Sequence, residues 1–193
     1  MNIFKIRYSV VTAAVLMSAL SGCGKHEAGA PAAAPAPVTT VPRATPVALP
    51  ANEAVATKFE KGTNSPIALT AKHYVGGSII SPSGGELGAV SVELGTYINT
   101  SDGELKVTFC NKDVCSEGTA DLLTSLDNKL LGIPLSSPLA VNGGDKLTFK
   151  IEKLTGVVPV AIWSYSTSDQ ASIGIDGKEE AGRTGKFILH FVK

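Results

Sequence analysis

Aromatic side chains are scarce in this chain, making up 6% of 193 residues with a single Trp, four Tyr and six Phe. Its apolar surface therefore comes mostly from Val, Leu, Ile and Ala. Only three Cys and three His are present, and neither type is clustered at metal-ligand spacing. There is no G-x-S-x-G elbow, no H-E-x-x-H helix and no phosphate-cradling Gly loop ahead of a helix, so the common hydrolase, metalloprotease and nucleotide-binding signatures are missing. No excess of positive charge exists either, since 17 basic side chains meet 17 acidic ones. A polyanion such as nucleic acid finds nothing to attract it, and no cofactor or metal ion is expected.

What the chain does have is turn chemistry and apolar residues: 20 Gly, 11 Pro and a hydrophobic share of 44%. At its start, Lys5 and Arg7 precede an apolar run from Val10 to Leu20 and a small-residue region ending at Gly22. A spanning helix needs about 20 apolar residues, so this run is too short for a permanent span and reads as an export signal over residues 1–22. Its removal takes away two basic residues and no acidic one, leaving 15 against 17, a net of −2. From Gly24 to Asn52 the composition turns to Pro and Ala. Proline fixes φ and removes a backbone donor, so residues 23–52 are expected to form an extended, disordered stalk with polyproline II character.

Beyond Ala51, short segments of period two alternate with Gly, Asn, Asp, Ser and Pro clusters, as in antiparallel sheets with one dry and one wet face. Leu105, Val107 and Phe109 alternate with Lys106, Thr108 and Cys110; Leu147, Phe149 and Ile151 alternate with Thr148, Lys150 and Glu152. Val90, Val92 and Leu94 mark a longer strand, and Phe187, Leu189 and Phe191 mark the last. Asp121 to Leu131 reads as mainly extended. About eight strands at even spacing predict an all-β domain over residues 53–193, an antiparallel two-sheet β-sandwich with a jelly-roll-like arrangement.

Cys110 and Cys115 flank Asn111-Lys112-Asp113-Val114. In an oxidising compartment, two cysteines so placed are expected to clip a hairpin as a disulfide. Trp163 and Tyr165 alternate along one strand and so share a face. With Tyr97 they form a candidate platform for sugar rings, and Asn99, Asp102, Asp127, Asn128 and Asp169 are candidate partners for sugar hydroxyls. The alternative is that the only Trp fills a core short of aromatic volume. Asp127-Asn128 and Asn142-Gly143-Gly144-Asp145 offer oxygens but lack the alternating acids of a calcium loop, and turn chemistry accounts for them. His73 and His190 are expected to be solvated or hydrogen-bonded bystanders. No residue is assigned a catalytic role.

Leu20-Ser21-Gly22-Cys23 resembles the lipobox of bacterial envelope lipoproteins, and the Pro/Ala stalk that follows looks like theirs. That resemblance implies acylation of Cys23, cleavage before it and anchoring in a lipid bilayer. Gly24 in place of an aspartate leans toward the outer membrane, with the domain in the periplasm or at the surface. The domain has a looser similarity to jelly-roll carbohydrate-binding modules, through Gly95-Thr96-Tyr97, Ser101-Asp102-Gly103 and Ile162-Trp163-Ser164-Tyr165. Together these imply a noncatalytic lipoprotein that binds a glycan or another envelope component. The competing expectation is a protein-interaction lipoprotein, an inhibitor or assembly accessory docking an envelope protein, with a hydrolase ranked last.

Overall fold

A computed structural model describes residues 48–97 and 101–192. The signal, Cys23, most of the stalk and Asn99 lie outside the described residues. Strands follow in the order β1 (Asn52–Val55), β2 (Ser65–Leu69), β3 (Tyr74–Ile80), β4 (Gly85–Gly95), β5 (Glu104–Asn111) and β6 (Val114–Asp121). Then come β7 (Lys129–Val141), β8 (Lys146–Lys153), β9 (Val160–Ser166), β10 (Ser172–Ile175), β11 (Lys178–Ala181), β12 (Arg183–Gly185) and β13 (Phe187–Val192). The domain is all-β, with two antiparallel sheets packed face to face. The first holds β1, β13, β4, β9 and β12, with β2 on β9 and β7 on β4; the second runs β11-β10-β3-β8-β5-β6. Every pairing is antiparallel, as the alternating patterns predict.

The register shows why alternation is so clear in sequence. Leu105, Val107 and Phe109 on β5 and Leu147 and Ile151 on β8 are fully buried, and they face Val90, Val92 and Leu94 of β4 across the core. Three rings form the centre: Phe149 lies 4.7 Å from Phe187 and 5.8 Å from Phe109, which meets Phe187 edge-on at 6.0 Å. Phenylalanine thus supplies the aromatic volume of the core, and Trp163 is not needed there. At one corner the sheets close on each other, where Ser116 donates to the carbonyl of Ser137 and Gly118 leaves no room for a Cβ beside the carbonyl of Pro134.

Three details depart from the sequence reading. Among the described residues thirteen strands replace about eight, because short pieces such as β1, β11 and β12 carry too few residues to show a period. Within Asp121 to Leu131, Leu122–Thr124 is a 3-10 turn, capped by the Asp121 carboxylate accepting from Leu123 N–H, and only the two ends of the segment, Asp121 in β6 and Lys129 onward in β7, are strand. The packed chain also begins before Glu53. Gly132 and Gly88 leave bare backbone on the outer face of the first sheet, and Leu49 and Pro50 lie against it.

Candidate functional site

β9 faces two ways. Val160 and Ile162 are fully buried, whereas Trp163 and Tyr165 are half-buried on the outer face. The reading of Trp163 as a core residue is therefore corrected. The strand begins inward with Val160 and its even positions keep that direction, so Trp163 has to point out. The indole lies over β4 at Gly95, where an added Cβ would sit 3.0 Å from its nitrogen, and Nε1–H donates to the Asn128 side-chain oxygen at 2.8 Å. Glycine makes that flat seat.

Around this pair the outer face carries a connected polar set. Tyr165 donates its hydroxyl to the Glu93 carboxylate, which also takes the Lys186 ammonium at 2.8 Å. Burial and the adjacent Glu93 carboxylate push the Tyr165 hydroxyl well above its ordinary range, so it stays a proton donor at any physiological pH. Phe59 stacks on Tyr165 with centroids 4.6 Å apart, and Lys186 stands 6.0 Å above the Phe59 ring. An aromatic strip thus runs from Trp163 to Tyr165 and Phe59 and is bordered by a carboxylate, an amide and an ammonium. Such a strip offers π faces to C–H groups and, from the exposed Asn128 amide and the partly exposed Lys186, hydrogen bonds to hydroxyls.

The other candidates divide. Asp127 belongs beside Trp163, since its carboxylate accepts from Thr96 N–H at 2.6 Å and from the amide of its neighbour Asn128. Tyr97 is exposed, follows Thr96 directly and adopts a positive φ of 60°. Asp102 is not available to a ligand. Val157 and Val158 N–H groups donate to its carboxylate at 2.8 Å, which holds it below the usual carboxylate range together with Lys153, whose buried ammonium reaches the Asp102 and Thr155 carbonyls. It ties loops together. Asp169, just beyond the C-terminal end of β9, accepts from Lys58 N–H at 2.9 Å.

Glu93, Lys186 and Phe59 were not singled out in the sequence. Glu93 was legible in principle, because Val92 and Leu94 point inward and their intervening residue must point out. Phe59 lies outside every strand and gives no periodic signal.

The bystander histidines are hydrogen-bonded. His73 pairs with Asp176, whose carboxyl is held low first by Tyr74 N–H and then by that imidazole. His190 is buried, with Nε2 2.8 Å from Ser91 Oγ and Nδ1 3.3 Å from the Pro50 carbonyl. A carbonyl can only accept, so Nδ1 donates to it, and in the neutral ring Nε2 then accepts from Ser91. Glu53 stands 3.6 Å from Nδ1, completing a carboxylate, imidazole and hydroxyl line. Ser91 is itself buried and the Pro50 carbonyl meets Nδ1, so this line clasps the incoming chain to the sheet. Among the described residues, no group of three or more His, Cys, Asp or Glu converges as a metal site.

Cys110 and Cys115 lie directly opposite each other on β5 and β6 and are joined by a disulfide, with Cα atoms 4.0 Å apart. It clips the hairpin on the outer face of the second sheet, away from the aromatic strip. The chain matches no protein-family model and no curated protein.

Proposed function

We propose that this chain is a lipid-anchored envelope lipoprotein whose noncatalytic β-sandwich binds a glycan along the outer face of its first sheet. The observation that carries the reading is the position of Trp163 and Tyr165, which share a face outside the core and stand beside Glu93 and Asn128. Three partly exposed rings in a row are costly to keep outside a core unless a partner covers them. The exposed Asn128 amide at their border gives hydroxyl groups a donor and an acceptor, while Glu93, buried and bonded to Tyr165 and Lys186, holds the other ring in place. Docking of a protein strand is less well supported: the edge strand β11 presents Lys178, Glu179 and Glu180 to solvent, and charges of that kind protect an edge from pairing. Attachment would come from acylated Cys23 at the start of the stalk.

Trp163 is the sole Trp in the chain, so its emission reads the site directly. Titration of the unlipidated protein with soluble oligosaccharides of hexose, amino-sugar and uronic types is expected to give a saturable emission change for one class. That change should vanish in Tyr165→Ala. Unchanged emission with every class at millimolar concentration, or binding that survives loss of both rings, would refute the glycan reading.

A further inference from the structure

One pole of the sandwich is built from the connections that follow β6 and β8, with Tyr97 and Ser101–Gly103 beside them, and there several aliphatic side chains point to solvent. Val157 is 90% exposed, Leu123 69% and Leu126 60%, with Leu154 and Tyr97 exposed beside them. Several polar side chains of the same loops turn inward, while Asn128 and Thr155 stay exposed. Ser101 donates to the Leu122 carbonyl, and Leu122 N–H donates to the Gly103 carbonyl. Asp102 takes the N–H groups of Val157 and Val158. Lys153, its side chain 1% exposed, binds the carbonyls of Asp102 and Thr155. Gly103 and Gly156, at φ of 84° and 90°, let these backbones approach where a Cβ would overlap a carbonyl.

We infer that this pole seats itself in a lipid surface. A loop can enter the dehydrated interface of a bilayer cheaply only if its own N–H and C=O groups are already paired, and here hydrogen bonds within and between the loops satisfy many of them. Its outward residues are separate aliphatic chains with one Tyr. Leu and Val are under-represented among the anchors of protein interfaces, while Tyr favours the boundary between lipid and water. Of the acids at this end, Asp102 and Asp127 are bonded to backbone N–H groups, while Asp121, which caps the 3-10 turn, and Asp176, which pairs with His73, stay exposed. Lys72 and Lys129, by contrast, are exposed at the same end and can meet anionic headgroups.

The chain outside the structure permits this docking. Residues from Gly24 to Val47, at about 3 Å each when extended, reach roughly 70 Å. The longest strand, β7 with 13 residues, spans only about 43 Å at 3.3 Å per residue. A domain tethered at Cys23 can therefore turn either pole to the bilayer. The inference does not use the aromatic strip and stands or falls separately from the glycan reading.

The test uses the full mature chain with Cys23→Ser, which removes the acyl anchor, and vesicles of phosphatidylethanolamine with phosphatidylglycerol. The unlipidated chain is expected to float with vesicles, and Leu123→Asp with Val157→Asp to lower the bound fraction at least about tenfold without lowering the melting temperature. Val192→Asp, on an exposed residue of β13 outside this pole, should bind as the parent does. A gain-of-signal variant guards against misfolding: Val157→Trp in a Trp163→Phe chain should shift its emission to the blue on vesicles. Failure of the Cys23→Ser chain to float, flotation unaffected by the paired Asp substitutions, or no blue shift would each overturn the inference. So would a lipid-free dimer that these substitutions dissociate, since the pole would then be a protein interface.

Discussion

Replacing Trp163 by Ala separates the roles of ring and core most sharply. A core Trp buries about 150–250 Å². At most about a third exposed on the outer face, the indole covers about 160 Å², which at about 25 cal/mol per Å² is worth about 4 kcal/mol as an upper bound and about 2–3 kcal/mol once the unfolded chain's own compactness is allowed for. The lost bond from Nε1 to Asn128 adds little, because the freed amide lies where water can reach it. A destabilisation of about 2–3 kcal/mol follows, or about 4–12 °C for a domain of this size. Phe187 provides the internal standard. It is 1% exposed between Phe109 and Phe149, and Phe187→Ala should cost about 4 kcal/mol, or about 8–16 °C. Thermal melts of both variants by circular dichroism, in the same buffer, give the comparison. If Trp163→Ala lowers the melting temperature as much as Phe187→Ala does, the ring belongs to the core and the platform argument fails.

The disulfide closes a ring whose ends are five residues apart, so loop-closure entropy gives it about 2 kcal/mol. Paired Cys110→Ser and Cys115→Ser substitutions should lower the melting temperature by several degrees and leave a folded domain, whereas complete unfolding would mean the hairpin clip decides the fold. Asp102, Asp145 and Asp176 all have carboxyl groups held below their ordinary value of 3.8, chiefly by backbone N–H donors at Val157, Asn142 and Tyr74. Their contribution to stability is present above 3.8 and is lost as pH falls through the lowered folded values. Melts from neutral pH to pH about 2 should be level until near pH 4 and then decline, with a shallower decline in Asp145→Asn. Leu49→Asp should lower the melting temperature because Leu49 packs on Gly132. Equal stability of chains beginning at Glu53 and at Pro42 would show that this packing contributes nothing.

Much of the fold could be read because burial in a two-layer sandwich leaves a period of two in each long strand. Leu105, Val107, Phe109, Leu147 and Ile151 were assigned to one face by alternation alone, and the sheets bury all of them. The cystines were legible for a similar local reason, since five residues can bridge only a hairpin. The site was half legible. Alternation placed Trp163 and Tyr165 together but could not say whether that side was wet or dry, because β9 carries apolar residues on both faces. Only packing settled it: Phe109, Phe149 and Phe187 fill the centre, and Gly95 offers the indole a seat outside. Asp102 was misjudged because its partners, the N–H groups of Val157 and Val158, lie more than fifty residues away in the chain. Sequence by itself determined the strand periods and the hairpin clip, both set by neighbours a few residues apart. Tertiary structure alone decided which face of β9 meets water, which acids are already occupied by distant N–H groups, and which loops turn their aliphatic residues outward, because those depend on contacts that close only when the two sheets meet.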